Sequence, residues 1–264
     1  MTSPILVTGG TGTLGRLVQP LLRESGHRVR VLSRHRHEPG DGVEFVVGDL
    51  TTGAGLDVAV DGVGTIVHCA GTSTGDDEKT RLLVRAASAA GAQHLVYISV
   101  VGAERIPVTN RVDRAMFGYF ASKRAAERVV AESGLPWTTL RATQFHDLVL
   151  TVARAMAKLP VIPVPVGFRF QPVDTGEVAT RLVELALGRP SGLVPDFAGP
   201  RVYGTDELLR SYLRAARRRR ILLPVRLPGN AARTVRAGAN LAPDHAVGHR
   251  TWEEFLEACE RNQT

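Results

Sequence analysis

Thr8-Gly9-Gly10-Thr11-Gly12-Thr13-Leu14-Gly15 stands between a β-branched run, Ile5 to Thr8, and a stretch whose apolar Leu14, Leu17, Val18, Leu21 and Leu22 recur at helical spacing. Each glycine of this strand-to-helix turn has a physical reason. Gly9 permits the tight turn, Gly12 lets backbone amides approach a pyrophosphate, and Gly15 permits close packing of the helix that follows. The helix N-terminus adds orphan N–H groups and the positive end of a dipole, which together attract an anion. A glycine-rich turn with no ligand is the plain alternative. Strand before, helix after and position near the start of a βαβ pattern all favour a dinucleotide loop formed by Thr8, Gly9, Gly10, Thr11, Gly12, Thr13, Leu14 and Gly15.

Outward from the loop, a helix is expected from about Thr13 to Ser25, ended by Gly26, with a strand from Arg28 to Ser33. Val43 to Val47, Thr65 to His68, Leu95 to Ser99 and Trp137 to Arg141 read as further strands. Helical patterns at Glu78 to Ala90 and Arg114 to Ser133 separate the later ones. Parallel neighbours need crossovers, so this alternation predicts an α/β protein with a Rossmann-type doubly wound parallel sheet. Beyond Lys158 the pattern changes. Pro160, Pro163 and Pro165 interrupt it, and helices are expected at Thr175 to Leu187, Asp206 to Arg218, Asn230 to Arg236 and Thr251 to Glu260. The expected organisation is a nucleotide-binding core over 1–159 and a smaller, mostly helical substrate-side portion over 160–264, packed together as one structural unit.

Composition narrows the classes. The chain has 264 residues, 44% apolar and 22% charged, which suits a globular protein and excludes disordered and collagen-like ones. Cys69 and Cys259 are too few and too far apart for a disulfide framework or zinc cluster. With no apolar run long enough for a membrane span and no signal-peptide pattern, a soluble cytoplasmic protein is expected. Net charge is +7, and 30 of the 33 basic residues are Arg, which suggests a GC-rich bacterial source. Against that skew the three lysines, Lys79, Lys123 and Lys158, stand out as positions where Lys itself is needed.

The end of the second strand selects the nucleotide. NAD binders place an Asp or Glu about 20 residues beyond the glycines to take the ribose hydroxyls. Here the run is Ser33-Arg34-His35-Arg36. A 2′-phosphate suits Arg34, with Ser33 and Arg36 as helpers, so NADP(H) is expected in preference to NAD(H). Asp49 and Leu50 after the third strand suit the adenine, and Cys69, Ala70 and Gly71 after the fourth allow its ribose to approach.

Tyr119 and Lys123 lie four apart on the long helix after the fifth strand, hence one turn apart on one face. Reduction of a carbonyl leaves an alkoxide that must gain a proton. A phenol can supply it once a neighbouring ammonium favours the phenolate, and the same Lys can hold the nicotinamide ribose.

These residues resemble the short-chain dehydrogenase/reductases, specifically the atypical NmrA-like branch of NAD(P)H-binding proteins. The resemblance runs from Thr8-Gly9-x-x-Gly12-x-x-Gly15 through Tyr119-x-x-x-Lys123 and Gly134-Leu135-Pro136-Trp137-Thr138-Thr139-Leu140-Arg141-Ala142-Thr143-Gln144-Phe145. It continues in Gln171-Pro172-Val173-Asp174 and the terminal Thr251-Trp252-Glu253-Glu254-Phe255-Leu256. It implies a Rossmann-type sheet, NADP(H) or NAD(H) at the strand C-termini, and either reductase chemistry or cofactor sensing without chemistry. The family's Ser beyond the fifth strand falls at Val100, leaving Ser99, one residue earlier, as the assisting candidate. Its Arg-Pro-Thr pattern appears as Arg141-Ala142-Thr143, which frees a backbone N–H. Sensor-type members commonly lack the Tyr, so Tyr119 favours an enzyme.

Other features read as structural. His68, His94, His146 and His245 lack metal-ligand spacing, so no metal is expected, and capping or loop-fixing roles suit Asp147 and Asp174. Arg217-Arg218-Arg219-Arg220 reads as a solvated helix end before a buried strand at Ile221-Leu222-Leu223, not as a nucleic-acid site, since aromatics are only 5% of the chain. Val100, Val101, Phe117, Phe145 and Phe168 are expected to border an apolar cleft, with Leu159 to Phe170 as its lid or wall. The combined expectation is an NADPH-dependent oxidoreductase, monomeric or homodimeric, acting on an apolar ketone, enone or quinone. The alternative is a non-catalytic NADP(H) sensor acting through a protein partner.

Overall fold

Short β-branched runs become strands, and the amphipathic stretches between them become helices, across the residues described by a computed structural model, 3–38, 42–72 and 75–261. The first elements are β1 (Ile5–Thr8), α1 (Gly15–Glu24), β2 (Val29–Ser33), β3 (Val43–Val47), α2 (Leu56–Val60), β4 (Thr65–His68) and α3 (Asp76–Ala89). Then come β5 (His94–Val100), α4 (Arg111–Ala131), β6 (Trp137–Ala142), α5 (His146–Met156), β7 (Val161–Pro165) and β8 (Arg169–Phe170). The remainder is α6 (Thr175–Leu187), β9 (Gly192–Leu193), β10 (Tyr203–Gly204), α7 (Thr205–Ala215), β11 (Ile221–Val225), α8 (Asn230–Arg236) and α9 (Trp252–Arg261).

The chain divides into two compact units. One holds residues up to Ser99, Ala121–Arg141 and Gly176–Pro195; the other holds Val100–Phe120, Ala142–Thr175 and the chain from Asp196 on. The division does not follow a single cut after residue 159, because α4 and β6 each run from one unit into the other.

In the first unit, seven strands form a parallel sheet in the order β3-β2-β1-β4-β5-β6-β9. The order reverses between β1 and β4, the switch point at whose strand C-termini doubly wound sheets bind ligands. Leu6, Ile66, Leu83, Leu95 and Tyr97 fill the core beside it, all fully buried. α1 ends where Gly26, at φ 81°, lets its N–H reach Arg23 O and lets His27 N–H reach Leu22 O. α3 opens with Asp76, Asp77 and Glu78, acidic groups suited to the positive helix end. Arg141 forks onto Glu127 at 2.8 and 2.7 Å, tying β6 to the second half of α4.

The second unit is mostly helical, with a two-stranded antiparallel pair, β10 and β8, and a two-stranded parallel pair, β11 and β7. Trp252, Tyr203, Leu208 and Ile162 lie in its main core, while Phe117 and Phe168 pack with Ala231 and Val235 in another cluster. Two expectations change here. The proline-rich stretch after Leu159 is ordered as β7, its prolines accommodated because a two-stranded ribbon consists only of edges. The strand at Ile221 forms, yet it is not buried: Ile221 is 67% and Leu223 51% exposed, because only one face of the ribbon meets the core. No described helix is long and apolar enough to cross a membrane.

Candidate functional site

At the switch point the first unit opens a pocket of about 310 Å³. It is lined by Gly9, Thr11 and Gly12 after β1, Leu32, Ser33 and Arg34 at the end of β2, Gly48 to Thr51 after β3, Cys69 to Thr72 after β4, and Lys79 on α3. The glycines have the conformations the chemistry requires. Gly9 sits at φ 68°, and a Cβ there would fall 2.6 Å from Ala70 N. At Gly15 a Cβ would fall 2.3 Å from Gly9 O, and Gly12 N–H closes the turn on Gly9 O at 3.0 Å. Only a bare backbone fits between the β1 turn and the β4 loop, which leaves an open cradle fitted to a pyrophosphate.

Of the residues expected at the cofactor, Gly9, Thr11, Gly12, Ser33, Arg34, Asp49, Leu50, Cys69, Ala70 and Gly71 line this pocket. Thr8, Gly10, Thr13, Leu14, Gly15, Arg36 and Lys123 are not among its lining residues. Thr8 turns inward, its hydroxyl 2.6 Å from His68 Nδ1, and His68 Nε2 meets Thr80 Oγ1 at 3.2 Å. Burial drives the His68 pKa down to about 3, so this histidine is a neutral spacer between strands and helix. Ser33 Oγ is engaged by His37 Nε2 at 2.9 Å and accepts His35 N–H at 3.2 Å, which leaves Arg34 as the cation presented to the pocket. Asp49 accepts Thr51 N–H at 2.8 Å, and that bond holds its carboxyl below the usual carboxylate range. Burial pushes the Cys69 thiol up to about 12, so it is not a nucleophile.

Below Gly71 lies a buried charge pair. Lys123 Nζ is 3.3 Å from Asp76 Oδ2, and it donates to Tyr97 OH and Ile98 O, each at 3.3 Å. Lys123 is 3% and Asp76 2% exposed. Burial works to lower the Lys123 pKa and Asp76 works to raise it; the net direction is downward. The other Asp76 oxygen accepts Thr72 N–H at 2.7 Å and Thr72 Oγ1–H at 3.0 Å. Asp76 thus joins the loop that walls the pocket to the lysine beneath it. Lys79, donating to Thr72 Oγ1 at 2.7 Å, adds a second cation at the rim. Sequence reading assigned none of Asp76, Lys79, Thr72, Thr51 and Leu32 to the cofactor; the scarcity of lysine singled out Lys79 without giving it a role.

Ser99, at the end of the first unit's β5, is buried and its hydroxyl has no hydrogen-bond partner among the described residues. Tyr119 belongs to the part of α4 in the second unit, is 37% exposed and meets the Phe120 ring edge-on at 6.0 Å. Among the apolar residues expected beside a substrate, Val100, Val101, Phe117 and Phe168 are buried, Phe117 and Phe168 against each other at 6.3 Å, and Phe145 is half-buried. The second unit also contains an apolar cavity of about 130 Å³ between α5, β8 and α7, lined by Leu148, Val152, Met156, Phe170 and Leu209 and by Gln144. Leu148 and Val152, four apart on α5, carried that signal in the sequence. Asp147 accepts Thr175 Oγ1–H at 2.7 Å and Asp174 accepts from Arg250 at 2.9 Å, both loop-fixing bonds. Among the described residues no group of His, Cys, Asp and Glu could hold a metal.

The family model described as NAD(P)H-binding matches residues 9–159. This chain belongs to that NAD(P)H-binding family. The (4-alkanoyl-5-oxo-2,5-dihydrofuran-3-yl)methyl phosphate reductase of Streptomyces griseus is 31% identical over 98% of this chain and 87% of its own length. The NAD(P)H azoreductase of Xenophilus azovorans is 29% identical over 70% of this chain, which spans only 64% of that protein. Among solved structures, an NADPH-dependent quinone oxidoreductase from Escherichia coli in complex with NADPH superposes with a TM-score of 0.79 over 97% of this chain and 99% of its own, at 18% identity, a likeness of fold. This NAD(P)H-binding protein is accordingly of the atypical short-chain dehydrogenase/reductase type, as its motifs imply, and its class is NAD(P)H-dependent oxidoreductase.

Proposed function

We propose that the protein is an NADPH-dependent reductase of an apolar ketone, enone or quinone, with Tyr119 as proton donor. The observation that carries the cofactor preference is the pocket rim at the end of β2, where Arg34 stands in place of a carboxylate. A guanidinium there pairs bidentately with a 2′-phosphate, and Lys79 at the same rim adds positive potential. The glycine cradle fits a pyrophosphate, and Asp49 and Leu50, which line the same pocket, would hold the adenine. NADPH, when bound, supplies the hydride equivalent.

The rest is the work of this chain's residues. Tyr119 gives its phenolic proton to the oxygen on which negative charge develops, and the Lys123 ammonium, one turn on along α4, favours the phenolate and holds the nicotinamide ribose. Asp76 favours the charged form of that lysine, opposing the pull of burial. Ser99, with a buried unpartnered hydroxyl, is the assisting donor. The substrate's apolar part is received by Phe145, with Val100, Val101, Phe117 and Phe168 supporting it from the core. An apolar cavity of about 130 Å³ in the second unit supports this class of ligand; a dry cavity of ~150 Å³ suffices for a benzene-sized group. The name of the Streptomyces griseus relative, a reductase of a (4-alkanoyl-5-oxo-2,5-dihydrofuran-3-yl)methyl phosphate, supports a conjugated carbonyl.

The test is NADPH oxidation with a panel of quinones, aromatic ketones and enones, for wild type and Tyr119→Phe, with NADPH affinity titrated for both. Tyr119→Phe should bind NADPH equally and lose about 10²- to 10⁴-fold in kcat. Tight NADPH binding by both with no turnover of any panel member would overturn the reductase reading in favour of a cofactor sensor acting through a partner.

A further inference from the structure

The arginine run after α7 has no part in the site above, and its surroundings point to a surface rather than a small ligand. Arg210, Arg214, Arg218, Arg219 and Arg220 border a shallow depression of about 460 Å³ on the second unit. Some of this charge is compensated: Asp206 lies 3.7 Å from Arg210, and Glu253, Glu257 and Glu260 share a neighbouring groove with Arg214 and Arg217. Among the described residues, Arg218, Arg219 and Arg220 form no ion pair, and Arg220 spends its guanidinium on the carbonyls of Ala157 and Arg219.

The arginines lead directly into the β11–β7 ribbon, whose outer face is unusual. Register pairs Ile221 with Val161 and Leu223 with Pro163. Ile162 and Val164 point to the core, while Val161, Ile221 and Leu223 are 39%, 67% and 51% exposed. Where one face of a sheet meets the core, the other normally carries polar residues; this one carries none at these four positions. Leu159, 47% exposed, and the exposed Lys158 extend the same mixture of aliphatic and cationic groups.

We propose that this face binds the surface of an anionic phospholipid membrane. Cations at the rim meet headgroup phosphates, and the short aliphatic side chains of the ribbon enter the headgroup–acyl boundary, the division of labour of peripheral membrane proteins. A second copy of this chain is disfavoured as the occupant, since each copy carries a formal +7 and would present the same arginines to its partner. Nucleic acid matches the charge but not the ribbon, which offers aliphatic groups where bases need aromatic platforms. The inference is independent of the proposed reductase activity.

Sedimentation of the full chain with vesicles of phosphatidylcholine, with and without about one-third phosphatidylglycerol, tests it. Binding should require the anionic lipid. It should weaken at about 0.5 M salt, where screening shortens to a few Å, without vanishing, because the apolar term persists. Each arginine near an anionic surface is worth about fivefold in binding, so Arg218→Gln with Arg219→Gln should cost about 25-fold. Ile221→Ser with Leu223→Ser, which leaves the charge alone, should also weaken binding several-fold. Both double variants should keep wild-type NADPH affinity and circular dichroism. No sedimentation with anionic vesicles overturns the proposal. So does sedimentation that the arginine pair abolishes but the serine pair leaves unchanged while the protein binds duplex DNA as tightly, which identifies a polyanion site instead.

Discussion

Asp76→Asn removes one charge from the buried pair while preserving shape and the acceptor that holds Thr72. Lys123 would then be 3% exposed without the Asp76 carboxylate beside it. Breaking a buried pair by removing one partner typically costs about 3–5 kcal/mol. Here an independent ceiling exists, because the lysine can give up its proton. In the unfolded chain Lys123 stays protonated to about pH 10.4, and each pH unit below that is worth about 1.36 kcal/mol, so folding with a neutral lysine costs about 5 kcal/mol at pH 7 and about 2 kcal/mol at pH 9. The sign follows: the variant's unfolded state binds one more proton than its folded state, so its stability rises with pH. Urea unfolding followed by circular dichroism at pH 7, 8 and 9 should show the deficit against wild type shrinking as pH increases. Asp76→Asn combined with Lys123→Met should be less destabilised at pH 7 than Asp76→Asn alone, since the double variant buries no charge. A deficit under about 1 kcal/mol at pH 7, or one that is the same at pH 7 and 9, would refute the assignment of this pair as buried and mutually dependent.

Three further outcomes are expected. Arg34→Glu should weaken NADPH about 10- to 100-fold and NADH less than about threefold, measured by titration of nicotinamide fluorescence; equal losses for both would remove the 2′-phosphate role. Gly9→Ala forces a side chain to φ 68° and 2.6 Å from Ala70 N, which should cost about 2 kcal/mol or more in unfolding free energy and depress NADPH affinity in the same preparation. His68, neutral when folded with a pKa of about 3, takes up a proton on unfolding below about pH 6.5, so it makes the wild type less stable as pH falls toward 3, by about 1.4 kcal/mol per pH unit at the steepest. His68→Gln should flatten that acid limb, and an unchanged limb would show that another group governs it.

The first six strands and the phosphate loop were legible because both rest on local patterns. β-branched runs and glycine spacing placed β1 to β6 within a residue or two, and the absence of a carboxylate after β2 singled out Arg34, which lines the pocket. Asp76 was not legible, since its meaning depends on Lys123, distant in sequence. Nothing around Asp76-Asp77-Glu78 distinguishes a buried ion-pair partner from ordinary helix-start acids. The exposed face of β11 was missed for a related reason. Ile221-Leu222-Leu223 without alternating polarity reads as a strand buried on both sides, and only the register with β7 shows that one side has no cover. Local propensity also cannot reveal that α4 and β6 each serve two units, because that is a fact of contacts between distant segments.

The return of Gly176–Pro195 to the first unit has a consequence for synthesis on the ribosome. β6 completes its pairing with β9 through Thr138 with Gly192 and Thr139 with Leu193, so the first unit's sheet lacks its last strand until the chain has grown past Leu193. At about 5–20 residues per second, β6 waits several seconds with an open edge, the state in which strands pair with the wrong neighbour. A fragment ending at residue 159, which the NAD(P)H-binding match alone would recommend as a unit to express, keeps that edge permanently and lacks α6 with its buried Val178 and Leu182. The nucleotide-binding half of this chain is therefore finished by a strand and a helix from its C-terminal half.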